Sequence, residues 1–130
     1  MEKAYFNWSS GKDSALALYY VMQGKQFKVD SLFSVIASGK DKIAMHEIGM
    51  ELLMKQATQI GIPLTVFRFN ESWSDEEYGM AMERYIEKFK SQGITTALFG
   101  DIYLEEIRSR RISNCAKSGI KAEFPLWNIS

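Results

Sequence analysis

The chain has 130 residues, 46% hydrophobic and 25% charged, with 16 Lys plus Arg set against 16 Asp plus Glu. This composition describes one folded domain and excludes a two-domain enzyme of roughly 200 residues or more. A formal net charge of zero excludes the strong basic field that drives non-specific binding to nucleic acid or anionic lipid. The single cysteine, Cys115, cannot close an internal disulfide or build a zinc cluster, so a reducing, cytoplasmic setting is expected. No apolar run reaches the roughly 18 residues of a membrane-spanning helix. The start, Met1 to Phe6, alternates where a signal peptide would be continuously apolar.

In chain order, Ala4 to Trp8 reads as an aromatic-rich strand that runs into the polar stretch Ser9-Ser10-Gly11-Lys12-Asp13-Ser14. From Asp13 to Gln23 the residues Ala15, Leu16, Leu18, Tyr19 and Met22 recur at helical spacing, with Gly24 as the stop. Val29 to Ala37 predicts a second strand, and Ile43 to Ile60 a second helix with Ile43, Ile48, Leu52, Leu53, Ala57 and Ile60 on one face before Gly61. Pro63 biases Ile62 toward an extended backbone, and Leu64 to Phe69 predicts strand three. Ser74 with Glu77 forms a capping box for a third helix, whose stripe is Tyr78, Met82, Tyr85, Ile86 and Phe89, up to Gly93. Ile94 to Phe99 predicts strand four. Leu104 to Ser118 predicts helix four, ended by Gly119, and Ile120 to Phe124 predicts strand five before Pro125.

Five strands alternating with four helices imply an α/β class, a doubly wound five-stranded parallel sheet with right-handed crossovers and the order 3-2-1-4-5. In such sheets ligands bind beyond the carboxyl ends of the strands, where the order reverses. The loops to search are therefore residues 9 to 14, 38 to 46, 70 to 74, 100 to 105 and 125 to 130.

The first of these loops joins hydroxyls, a glycine that permits close backbone approach, a lysine, and the free amides of a following helix. That is the chemistry of a phosphate cradle. It is not a Walker loop, because Phe6 stands where that pattern needs its first glycine. A plain strand-to-helix turn, with Asp13 or Ser14 as cap, is the competing reading of the turn alone.

The stretch resembles the Ser-Gly-Gly-x-Asp-Ser signature of the PP-loop ATP pyrophosphatases, with Ser10 in place of the first glycine. Four further segments resemble the diphthine-ammonia ligase family, whose members are also called adenine nucleotide alpha hydrolase-like proteins. They are Met45-His46-Glu47, Gln56 to Leu64, Phe99-Gly100-Asp101-Ile102-Tyr103-Leu104-Glu105, and Phe124-Pro125-Leu126-Trp127. The likeness runs from about Tyr5 to Trp127. It implies a Rossmann-like domain that binds ATP with magnesium and adenylates a carboxylate for amidation by ammonia. For that family the carboxylate is diphthine on elongation factor 2 of archaea and eukaryotes. Family members continue past the Pro-Leu-Trp segment into a second region that receives the substrate. Residues 1 to 130 are thus expected to be the nucleotide-binding half of a longer protein, the alternative being a short protein that depends on a partner.

By this resemblance Ser9, Ser10, Gly11, Lys12, Asp13, Ser14, His46, Gly100 and Asp101 bind the nucleotide. Asp13 and Asp101 hold the magnesium, and Lys12, Asp101 and Glu105 serve catalysis. Read as residues alone, Asp101 fits a cap of helix four equally well. Glu105, four residues on, lies one turn from it on the same helical face. His46 near a helix start is favoured in its neutral form. Arg108, Arg110 and Arg111 fit a solvated helix face, Trp73, Tyr78 and Tyr85 fit packing, and Cys115 fits the interior stripe of helix four. Two other functions suit the same motifs: a different PP-loop reaction such as tRNA thiolation, or a sensor that holds ATP or AMP without turnover.

Overall fold

The computed structural model describes residues 2–8, 12–38, 43–70, 72–100 and 115–125; for residues 12–14, 35–38 and 43–50 it describes the backbone alone. The elements are β1 (Glu2–Asn7), α1 (Lys12–Gly24), β2 (Phe27–Ser38), α2 (Ile43–Ile60), β3 (Leu64–Asn70), α3 (Asp75–Ser91), β4 (Thr96–Phe99) and β5 (Lys121–Glu123). Helix four as expected from sequence falls mostly outside the described residues. Its last part is a helical turn at residues 115–117, after which Gly119 takes φ +77°.

The five strands form one parallel sheet in the order β3-β2-β1-β4-β5. This is the expected doubly wound, Rossmann-like architecture. Strand order reverses between β1 and β4. The strands alternate faces, as a sheet buried on both sides requires. Ala4, Phe6 and Trp8 of the first segment, with Leu32 and Leu98, pack under Ala17, Leu18 and Val21 of α1 and Leu53 and Ala57 of α2. Tyr5, Phe33, Phe67, Ala97 and Phe99 face the other way, against Ile86 and Phe89 of α3 and Cys115.

The second layer is aromatic. Phe89 stacks on Tyr5 at 4.5 Å and meets Phe33 edge-on at 5.3 Å, while Phe67 stacks on Tyr85 at 4.9 Å and on Tyr78 at 5.3 Å. The expected stripe of α3 is therefore the face it buries. Its start is also as expected: the Ser74 hydroxyl accepts from Glu77 N–H at 3.1 Å, and the Glu77 carboxylate accepts from Ser74 N–H at 3.3 Å. At its end Gly93 takes φ +86°, a conformation open to glycine, and donates to Lys90 O at 3.0 Å.

The stripe expected for α1 is corrected. Of Ala15, Leu16, Leu18, Tyr19 and Met22, only Leu18 is buried; the sheet is met by Ala17, Leu18 and Val21, while Tyr19 is 59% exposed. Between Asp13 and Lys25 this helix has no charged residue, so hydropathy alone does not separate its two faces. The small side chain of Ala17 lets the backbone approach the sheet, and packing selects that face. On α2, Leu53 and Ala57 are buried and Ile60 packs at the margin, but Leu52 is half exposed. Gly24 is not the stop of α1 either. It remains helical, and Lys25 takes the left-handed turn at φ +58°.

Candidate functional site at the carboxyl edge

Strand lengths shape the edge where a ligand would sit. Asn7, the last residue of β1, is in register with both Phe33 of β2 and Phe99 of β4. β2 runs on from Phe33 to Ser38, paired along that length with β3 up to Asn70. At about 3.3 Å per residue, residues 34–38 overhang the end of β1 by about 16 Å. Among the described residues the edge is thus stepped: β2 and β3 stand tall, β1 and β4 stop short, and the notch above them lies where strand order reverses.

The loop root at the floor of this notch is tied down. The Asn7 side-chain amide donates to Leu98 O at 3.0 Å, joining β1 to β4. Trp8, 6% exposed, donates its backbone N–H to Phe33 O at 2.9 Å. Its carbonyl accepts from the buried Ser34 hydroxyl at 2.6 Å, and its indole N–H donates to the Gln56 side-chain oxygen at 3.0 Å. Sequence reasoning did not single out Asn7 or Ser34 and quoted Gln56 only within a longer segment. A polar side chain at a strand end, where a sheet meets a loop, is the signal that would have found Asn7; Ser34 lies within β2 and carries no such signal.

Ser9, Ser10 and Gly11 lie outside the described residues. Lys12, Asp13 and Ser14 open α1, so the unpaired amides of its first turn follow the loop directly and favour an anion there. Gly100 follows β4 and is buried, while Asp101 and Glu105 lie outside the described residues. His46 belongs by backbone to the first turn of α2, which follows the tall end of β2. The segments that carry these residues thus leave β1, β2 and β4 on one edge of the sheet. The rim beyond β3 is closed by Asn70, whose side-chain oxygen accepts from Ser72 N–H at 2.9 Å and from its hydroxyl at 2.8 Å.

Arg108, Arg110 and Arg111 lie outside the described residues, and Cys115 is buried in the second layer. Among the described residues no group of three or more His, Cys, Asp or Glu could hold a metal. Lys121 is raised above its ordinary value by the hydrogen bond and charge of Glu123, 3.1 Å away on the same short edge strand. Depressions of about 440 and 280 Å³ lie on the C-terminal half of α2, at Met54 and Thr58, and beside the end of α1, at Tyr20 and Gly24. Neither reaches the floor of the notch. Among the described residues no helix is long and apolar enough to cross a membrane.

Among solved structures the chain resembles the U34-tRNA thiolase NcsA from Methanococcus maripaludis with its [4Fe-4S] cluster, at 15% identity and a TM-score of 0.56. The match covers 99% of this chain and 53% of that one, so the chain spans about half the length of the structure it matches. At that identity the likeness shows the fold. No curated protein matches the sequence. The family described as diphthamide synthase N-terminal domain matches residues 2–122, nearly the whole length. The chain belongs to that family, and with it to the PP-loop group of ATP pyrophosphatase domains.

Proposed function

We propose that the notch above β1 and β4 binds ATP with magnesium, and that the domain serves an AMP-forming ligase that joins ammonia to a carboxylate. The observation that carries this reading is the register of Asn7 with Phe99. It sets the root of the Ser9–Ser14 loop beside the strand end from which Gly100 and Asp101 follow. In this reading Ser9, Ser10, Gly11, Lys12, Asp13 and Ser14 cradle the phosphates with backbone amides, hydroxyls and one ammonium, and His46 and Gly100 border the nucleotide. The carboxylates of Asp13 and Asp101 are hard oxygen donors of the kind magnesium takes alongside phosphate oxygens. No larger protein cage is needed, and bound magnesium would neutralise phosphate charge.

The substrate carboxylate oxygen attacks the α-phosphorus, the bond to the β-phosphate oxygen breaks, and pyrophosphate leaves. Ammonia then adds to the acyl carbon, gives up a proton, and displaces AMP. In this reading Lys12 meets charge on the departing pyrophosphate, while Asp101 and Glu105 hold the reacting groups in line. The family name supports a reaction that forms diphthamide; diphthine of elongation factor 2 as the carboxylate and the cytoplasm as the setting are part of the proposal. The acceptor-binding part is proposed to come from the remainder of a longer protein.

The likeness to a tRNA thiolase favours a second reading, a sulfur transfer onto adenylated RNA. Against it stands the cysteine count: one buried Cys115 does not hold an iron–sulfur cluster by itself. Calorimetry with magnesium-ATP, followed by pyrophosphate release with and without a carboxylate acceptor and ammonia, tests the proposal. Release that requires both supports the ligase. Binding without release under any acceptor supports a nucleotide sensor, and no binding at millimolar ATP rejects the site.

A further inference from the structure

The geometry points to Trp8 as a latch for the phosphate loop, with Gln56 and Ser34 as its positioning residues. This rests on the notch being the nucleotide site. Trp8 is the last described residue before Ser9, and every polar group it owns is engaged. Two of the three bonds, to Phe33 O and from the Ser34 hydroxyl, tie it to β2. The third, from the indole N–H to Gln56, crosses to α2. Trp8 and Ser34 are buried and Gln56 is half-buried, so little water is at hand to take over a lost partner.

The consequence is mechanical. A loop whose amides must converge on phosphate oxygens loses affinity when its root can swing, because the ordering is then demanded of the ligand. β1 ends at Asn7, so among the described residues the strand ladder holds the next residue only by its N–H, on Phe33 O, and its carbonyl and indole need a further constraint. The latch supplies that constraint and makes the loop root part of both β2 and α2. α2 follows the tall end of β2 in the chain, with His46 in its first turn, and the Gln56 bond also ties that helix to the loop root. Gln56 touches no nucleotide in this arrangement; it acts through Trp8.

The test uses the full 130-residue chain and magnesium-ATP. The Trp8 indole N–H resonance, assigned by its loss in Trp8→Phe, is expected in a hydrogen-bonded position and should move as magnesium-ATP is added. Gln56→Leu should shift that resonance in the free protein and raise the Kd for magnesium-ATP by about tenfold, equivalent to about 1.4 kcal/mol. Gln56→Glu retains an acceptor and should restore most of the affinity. An indole resonance indifferent to nucleotide, or Gln56→Leu binding as tightly as the unaltered chain, would overturn the latch while leaving the site intact. Failure of the unaltered chain to bind magnesium-ATP would overturn both.

Discussion

Truncating Phe89 to alanine probes the joint that holds β4 beside β1, and hence the floor of the proposed site. Phe89 is 1% exposed, stacks on Tyr5 of β1 and meets Phe33 of β2 edge-on. It lies near the end of α3, the crossover that carries the chain from β3 to β4. A buried Phe→Ala change costs about 3–5 kcal/mol through lost transfer energy and the cavity left behind. Two oriented ring pairs, each worth about 0.5–1.5 kcal/mol beyond area, place this site at the upper end. The expected loss is about 4–5 kcal/mol, a large part of the roughly 5–15 kcal/mol of a typical domain. It should appear as a lower urea midpoint with an unchanged slope and a fall in Tm of about 15 °C. Tyr19→Ala is the matched control. Its ring is 59% exposed on α1, so its truncation should stay within about 0.5 kcal/mol. A loss below about 2 kcal/mol for Phe89→Ala, or a larger loss for Tyr19→Ala, would refute the two-layer assignment.

At the end of α1, Gly24→Ala should stabilise by about 0.5–1 kcal/mol, because Gly24 is helical and a Cβ there meets nothing within 4 Å. Lys25→Gly should add a comparable gain by relieving a left-handed φ of +58°, offset in part by a freer unfolded chain; thermal melts showing no gain from either would contradict this helix end. Lys12→Ala is expected to weaken magnesium-ATP about tenfold or more and AMP much less, since a lysine at this loop would contact the outer phosphates. Equal calorimetric losses for the two nucleotides would remove it from that role. Where the proposed acceptor-dependent pyrophosphate release is observed, Asp101→Asn should abolish it yet leave a folded, nucleotide-binding protein, and unaltered turnover would reduce Asp101 to a helix cap.

The alternation of strands and helices was readable because each element carries its own punctuation. Ser74 and Glu77 announce α3, Gly61 and Gly93 close α2 and α3, and Pro63 restarts the chain into β3. Alternation and handedness gave the doubly wound class, and strand order followed from the order common in that class. Three features depend on packing and were not readable. The buried face of α1 was chosen by the small Ala17 over the larger Leu16, Tyr19 and Met22. A register shift between Ala4 and Tyr5, which passes over Asp30 of β2, breaks the simple two-residue alternation of Val29, Leu32 and Phe33. Asp30 itself, half-buried, faces the exposed Lys3 at 3.5 Å and Lys28 at 3.9 Å, an arrangement that hydropathy does not register. The candidate site divides in the same way. Its loop was recognisable by residue type, but the anchors Asn7, Ser34 and Gln56 are ordinary polar residues until the strands bring them to Trp8 and Leu98.

Unequal strand lengths are the reason for proposing a nucleotide at this edge rather than at any other part of the surface. If β1 and β4 were as long as β2, their side chains and ladder bonds would fill the space above Asn7 and Phe99. Because they stop, residues 35–38 of β2 have a strand partner only in β3 among the described residues. In the proposed site their backbone groups on the side of β1 would meet the base, since amides and carbonyls at such a place are rarely left without partners. The opposite demand comes from the opening of α1, whose first-turn amides favour negative charge. One wall therefore offers both donors and acceptors to a polar ring edge, and the neighbouring helix start offers donors to an anion. A molecule with a hydrogen-bonding base at one end and phosphates at the other meets both demands at once, and neither inorganic phosphate nor a free base does. On this reasoning ATP should bind this domain far more tightly than tripolyphosphate or adenosine at equal magnesium, and a tripolyphosphate affinity equal to that of ATP would show that the wall of β2 contributes nothing.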